Sequence, residues 1–534
     1  MQVKREDKGF LRFYYFSGMG AIFYRTFPTT EMLAIEDLSL SSRLTTKNNE
    51  SLLEKLLSKS DFMTSKYLGV YDDEVDLKDV LSVNKFFAKV ESYLESSTRS
   101  SLYNIQSVLG HRNIGEQSSF MISMTVPEIT ALSIQDEIFI SSQERSTRYV
   151  EFKERYLPSD ITGDARASLS RGYTELSKLY NSSFDLLLIK YVEDFPSKNH
   201  RIPSEKEIKT VLSPTVRDSV RSFLPLGSNT TLVMLLSART SENIGRKLLS
   251  SDNLYNKMAG ELFSSTVTDN VPSLSTHIKP DDFNKKIYPE RIKFNYSDVS
   301  QPPSLSSIDA VKVGITDASQ NEKQVLNSIY YQLPHTNSKN KKSVVVDYLT
   351  GLSASRTGKF DDLNDSVLRS SFLQIDITCS LGTARDLWRH RLSNRNIEVY
   401  VNDYIIPDVI YKNGDLMRTT SDSLGELEHY LKELYKNGFY SESQLLIPLA
   451  TKSDLKMSMS LAEAVFIAEN RSTDEAHPEY KKIAFDLYRQ LKSTYPVIMN
   501  HLKIFMGNDG QINSLSDYSR VQKPNIDSVN DSLS

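Results

Sequence analysis

Residues 371–391 read SFLQIDITCSLGTARDLWRHR, and the fold turns on them. Leu373, Ile375 and Ile377 alternate with Gln374, Asp376 and Thr378, the period-2 pattern of a strand with one face in a core. About ten residues at helical spacing follow and end in Arg389-His390-Arg391. Three nitrogen-rich side chains in a row are poor core material, because desolvating them without partners costs several kcal/mol. Two planar guanidinium forks flanking an imidazole suit phosphates and planar heterocycles.

A second copy of this surround lies upstream. Ser118-Ser119-Phe120 opens the alternation Met121–Val126, as Ser370-Ser371-Phe372 opens the later one, and the helical stretch after it ends in Asp136-Glu137. Each copy then has a proline turn, Leu224-Pro225-Leu226 and Ile447-Pro448-Leu449, read as the start of a long helical stretch. Internal duplication outranks local readings. The expected architecture is α/β (α+β), two similar domains in tandem, each a small sheet packed with long helices. Residues 1–265 form the first repeat, 266–310 a Pro/Ser/Asp-rich linker or crossing arm, 311–507 the second repeat, and 508–534 a polar, disordered tail.

The chain of 534 residues suffices for several domains, and 39% hydrophobic with 25% charged residues describes a soluble globular protein. Sixty-four basic against 68 acidic residues give a net charge of −4, which argues against a general nucleic-acid surface. No apolar run reaches membrane-spanning length. A single cysteine, Cys379, excludes an intramolecular disulfide, fits a cytoplasmic setting, and reads as a small buried hydrophobe. The eight histidines show no metal-site spacing, so no metal is expected. Trp388 reads as core, and His477 before Pro478 as a helix start.

On these residues the chain resembles the flavin-dependent thymidylate synthases, whose signature is R-H-R-x-x-S-x-N-E-x-S-x-R-Y. The second copy keeps Arg389-His390-Arg391 and Asn396, but has Asn394, Ile397, Val399 and Val401-Asn402 in place of the first Ser, the Glu, the second Ser and the Arg-Tyr. The first copy keeps the other half, Ser141, Glu144, Ser146 and Arg148-Tyr149, with Gln143 for Asn and Asp136-Glu137-Ile138 at the basic triplet. Gly110-His111 resembles the Gly-His before the family's first core strand. Arg239, fourteen residues after Pro225, resembles the Arg of an Asn-Ala-Arg, and Arg471, 23 after Pro448, resembles a nucleotide-binding Arg. The whole is similar to a long, tandem form of the family.

The resemblance implies an enzyme that converts dUMP to dTMP with FAD, NADPH as reductant and methylenetetrahydrofolate as carbon donor. It implies a homodimer imitating the tetramer of single-repeat enzymes, with the nucleotide site assembled from both copies. The implied roles are Arg389 as the catalytic residue, Glu144, Ser146, Arg148 and Arg471 on the substrate, and His390, Arg391, Asn396, His111 and Arg239 on the cofactor. The alternative is a lapsed flavin- or nucleotide-binding, or structural, paralogue.

Overall fold

A computed structural model describes residues 4–8, 11–16, 19–24, 115–116, 118–287, 291–296, 301–333, 341–359, 361, 363, 366–473 and 476–507. The expected tail, 508–534, lies outside them. Two compact units emerge, one of Met1–Arg145, Glu154–Ile161 and Ser228–Pro289, the other of Ser146–Lys153, Thr162–Gly227 and Glu290–Ser534.

The first unit holds β1 (Lys4–Lys8), β2 (Leu11–Phe16), β3 (Met19–Tyr24), β4 (Ser119–Pro127), β5 (Ser141–Glu144) and β6 (Asn229–Ser237). Their order is β1-β2-β3-β4-β6-β5, antiparallel throughout. The alternation quoted for the first copy becomes β4, with Phe120, Ile122, Met124 and Val126 buried. Helix Glu128–Gln135 follows directly. Helix Ala238–Ser250 follows β6, where the Ser237 hydroxyl accepts from the Thr240 amide and satisfies one of the free N–H groups of the first turn.

The second unit holds β7 (Ile292–Asn295), β8 (Ser304–Ser306), β9 (Lys312–Ala318), β10 (Phe372–Ser380), β11 (Ser393–Ile405) and β12 (Thr451–Ser460). The sheet runs β7-β11-β12-β10-β9, with β8 also on β11. The strands β9 to β12 pair antiparallel, and β7 and β8 join β11 parallel. Leu373, Ile375, Ile377 and Cys379 face the core from β10, and Leu455, Met457 and Met459 from β12.

The order β9-β10-β12-β11 repeats β3-β4-β6-β5, and in both sheets each of the two central strands leads straight into a helix. The tandem, two-domain α/β reading is thus realised in backbone topology. Three details differ from the sequence reading. First, the proline turns lead into β6 and β12, not into helices. The residues after them alternate with period 2, Leu232, Met234 and Leu236 being buried in β6, and helices begin only at Ala238 and Leu461. Second, the 266–310 arm is not plain linker. Helix Leu254–Asn270 runs into it, and it supplies β7 and β8. Third, residues 146–153 and 162–227 are built into the unit that carries the second sheet.

That third feature has a packing cause. Helix Gly163–Asn199, 37 residues long, lies along helix Gly414–Lys436. Gly172 permits a close approach, since a Cβ there would stand 2.6 Å from Leu446 Cδ1. The two proline turns then pair with each other. Leu226 N–H donates to Ile447 O at 2.8 Å, Leu449 N–H to Leu224 O at 2.9 Å, and Pro225 faces Pro448 in an antiparallel bridge. Among the described residues no helix is long and apolar enough to cross a membrane.

Candidate functional site

The second unit gathers arginines around two buried aspartates. β10 ends at Ser380, whose hydroxyl accepts from Thr383 N–H and starts the seven-residue helix Leu381–Leu387. Glu479, at the start of helix Pro478–Thr494, accepts from the Ser380 amide at 2.6 Å and hydroxyl at 2.7 Å, tying the two helix starts together. The short helix carries Arg385 and Asp386, and the turn after it carries Arg389 and His390.

Asp386 is buried and accepts from Arg221 Nη1 at 3.0 Å, Arg385 Nη2 at 3.2 Å and the Tyr480 hydroxyl. Arg389 Nη2 lies 3.3 Å from it. Arg221 also donates to the Tyr480 hydroxyl at 2.9 Å and reaches Asp218 at 3.4 Å, and Arg148 donates to Asp218 at 2.6 Å. Arg471 Nη2 donates to the Asp386 backbone carbonyl at 3.1 Å, while its guanidinium stands over the Tyr480 ring. One network therefore runs from Arg148, on the first copy's loop, to Arg389 and Arg471, on the second copy. Among the described contacts four guanidiniums share the two aspartate carboxylates, and a fifth, that of Arg471, meets Asp386 only at its backbone carbonyl.

The charges set the protonation states. Burial alone raises the Asp386 carboxyl, but Arg385, Arg221, Arg389 and Arg471 outweigh it and hold the group well below the usual carboxylate range. Asp218 is likewise pushed up by burial and pulled further down by the neighbouring guanidiniums, Arg221 first and then Arg148. Burial lowers His390 and His477, and nearby arginines add to this. Burial also lowers Arg471, against the pull of Asp386.

Of the residues singled out from sequence, Ser146, Arg148, Arg389, His390, Arg391, Asn396 and Arg471 belong to this unit. Ser146 shapes the loop. Its hydroxyl accepts from Arg148 N–H at 3.3 Å and its carbonyl from Val150 N–H at 3.1 Å. Arg389 is part-exposed, its side chain 40% accessible. Arg391 is half-buried and has no hydrogen bond or ion pair among the described residues. Asn396 is exposed on β11, in register with Lys456. His390 differs from its expected role as a cofactor contact. Its ring is buried and both nitrogens are taken within the protein, Nδ1 by Glu463 at 3.2 Å and Nε2 by Arg471 Nε at 3.2 Å.

Glu144 and Arg239 belong to the first unit. Glu144 accepts from Gln135 Nε2 and Thr230 Oγ1, each at 3.2 Å, and Arg239 pairs with Glu116. His111 lies outside the described residues.

Arg221, Asp386, Asp218, Tyr480 and Glu463 carry the network without having been assigned a role from sequence. A signal existed for Arg221. It stands four residues before Pro225, where the second copy has Gln444 four before Pro448.

The family model described as thymidylate synthase complementing protein matches residues 79–259 and 315–497, more than half of the chain and once in each copy. The chain belongs to that family. A UPF0159 protein of Thermoplasma acidophilum is 21% identical over 474 residues, covering 79% of this chain and 89% of its own. One from Chlamydia pneumoniae is 21% identical over 526 residues, covering 92% and 95%. Among solved structures, a UMP/dUMP methylase PolB from Streptomyces cacaoi bound with 5-Br dUMP shows 16% identity over 37% of this chain and 96% of that one, with a TM-score of 0.29.

Within this member of the thymidylate synthase complementing proteins the two copies carry opposite residue types at the triplet position. At the first copy's counterpart of the basic triplet, Asp136 and Glu137 are buried and each lies 3.3 Å from Lys247 Nζ. That corner of the fold holds two carboxylates on one lysine, whereas the second copy's corner gathers several guanidiniums around Asp386. Among the described residues no group of three or more His, Cys, Asp or Glu is placed to hold a metal ion.

Proposed function

We propose that the protein is a FAD-dependent thymidylate synthase that methylates dUMP to dTMP, with methylenetetrahydrofolate as carbon donor and NADPH as reductant. The observation that carries this reading is one network, drawn from both copies, in which the described contacts gather five arginines around two aspartates. A nucleotide monophosphate carries close to two negative charges near neutral pH, and charge-assisted hydrogen bonds to it contribute roughly 1.5–3 kcal/mol each.

In this reading Arg148 and Arg471, with Arg221 between them, take the phosphate, and Ser146 shapes the loop that presents Arg148. Arg389 meets the pyrimidine carbonyl, where its charge stabilises developing enolate-like charge. The residues fit a flavin as well: the part-exposed Arg389 and the half-buried Arg391, which has no hydrogen bond or ion pair among the described residues, suit its carbonyl edge or pyrophosphate, and the exposed Asn396 amide can add a hydrogen bond. FAD, when bound, supplies the hydride chemistry, while the protein orients the reactants and excludes competing routes. Two chains would imitate a tetramer of single repeats as a cytoplasmic homodimer.

A second reading, a flavin- and nucleotide-binding relative without turnover, is favoured by Ile397 and Val399 standing where the signature has Glu and Ser. Tritium release from dUMP labelled at C5 decides between them. The first reading expects release that depends on both methylenetetrahydrofolate and reduced pyridine nucleotide. Yellow, dUMP-binding protein with no release would leave the second.

A further inference from the structure

We propose that Glu463, acting through His390, is a positioning device that aims Arg471 at the nucleotide phosphate without neutralising it. The inference rests on the dUMP reading above.

An arginine N–H can only donate, so His390 Nε2, which takes the hydrogen bond from Arg471 Nε, must be the ring's acceptor nitrogen. The proton then sits on Nδ1, which donates to the Glu463 carboxylate. The ring is a neutral, rigid spacer. Phe466 packs edge-on to it at 6.0 Å between centroids, which fixes its plane.

The other four arginines of the network touch an aspartate directly. Arg471 does not. Its Nε goes to an imidazole, its Nη2 to a backbone carbonyl, and its face to the Tyr480 ring. All three partners are neutral, so orientation is fixed while the full positive charge is kept. Nη1 has no hydrogen-bond partner among the described residues and is the group left to meet an anion.

Glu463 departs from local expectation in the same sense. Ser460-Leu461-Ala462-Glu463 is a capping-box sequence, in which the Glu ordinarily folds back on the cap amide. Ser460 does accept from Glu463 N–H, at 3.1 Å, but the carboxylate goes to His390 instead. A local stabilising bond has been given up for a contact 73 residues away in sequence.

The test compares binding of dUMP and of deoxyuridine by the full-length protein, calorimetrically, for wild type, Glu463→Ala, Glu463→Gln, His390→Ala and His390→Gln. The proposal expects Glu463→Ala and His390→Ala each to weaken dUMP about ten- to a hundredfold, with little change for deoxyuridine. The double alanine variant should lose no more than either single one, because the residues act as one chain. Glu463→Gln and His390→Gln, which keep an acceptor at each position, should hold most of the affinity. Equal losses for dUMP and deoxyuridine would mean a structural role and overturn the proposal, as would wild-type dUMP affinity in Glu463→Ala. Where the alanine variants do not fold, the two glutamine variants decide, and a full loss of dUMP selectivity in both contradicts the account. Wild-type protein that binds no dUMP sinks the synthase reading itself, a separate outcome.

Discussion

Asp386 is the residue on which the cluster depends. Its buried carboxylate meets Arg221, Arg385 and Arg389, and its carbonyl meets Arg471. Asp386→Asn keeps the shape and removes the charge, leaving crowded guanidiniums uncompensated. Breaking a buried pair in this way costs about 3–5 kcal/mol, so the urea midpoint should fall sharply. The histidines set a separate acid response. His390 and His477 are both held below their ordinary value of 6.5, first by burial, and are neutral in the folded protein. Their contribution to stability is complete above pH 6.5 and is lost as pH falls toward the depressed folded values, by up to about 1.4 kcal/mol per pH unit for each group. Asp386 and Asp218 are also depressed, from 3.8, so their contribution is retained until much lower pH. A melting series should therefore show a first decline below pH 6.5 and a second below the carboxylate range, and His390→Gln should shrink the first. A flat profile between pH 7 and 5 would contradict the buried neutral histidines. At this scale Arg148 and Arg471 were legible from motif spacing. The commitment of His390 was not, because its partners lie 73 and 81 residues away and no local pattern names them.

The paired proline turns are the element that brings first-copy residues to the second sheet. Gly227, just after Leu226, tolerates no side chain, since a Cβ would stand 1.9 Å from Tyr173 Oη and 2.9 Å from Leu445 O. Gly227→Ala must push the tyrosine or the backbone aside, at a cost of about 1–3 kcal/mol. Because Arg221 lies six residues upstream, the same change should weaken dUMP binding as well as lower the melting temperature. A variant that melts like wild type would show that the turns are not tightly paired. The turns themselves were visible in sequence, as two short motifs. Their sequel is not plain from sequence, because the buried face of β12 (TKSDLKMSMS) itself opens with Thr451 and Ser453, which blurs the apolar alternation. The strands β7 and β8 were missed for a different reason. Segments of four and three residues that take their register from β11 are fixed by tertiary pairing and not by propensity.

Across the whole molecule, one family unit occurs twice, with acidic residues at the triplet corner of the first copy and basic ones at that of the second. The duplicated strand order was legible because hydrophobic alternation survives divergence. The redistribution of residues 146–153 and 162–227 into the second unit was not, since nothing local in a helix states which sheet it will cover. The charge asymmetry predicts one nucleotide per chain and not two. Asp136 and Glu137, already satisfied by Lys247, offer a phosphate only repulsion. Titration of dUMP into purified protein should saturate at one equivalent, and two equal sites would refute the asymmetry. The same titration, repeated on Arg148→Ala and Arg471→Ala, tests most directly that arginines from both copies grip one anion. Each substitution should weaken dUMP at least about tenfold, in keeping with the loss of one charge-assisted contact. Wild-type affinity in either variant would show that the two copies do not share a phosphate.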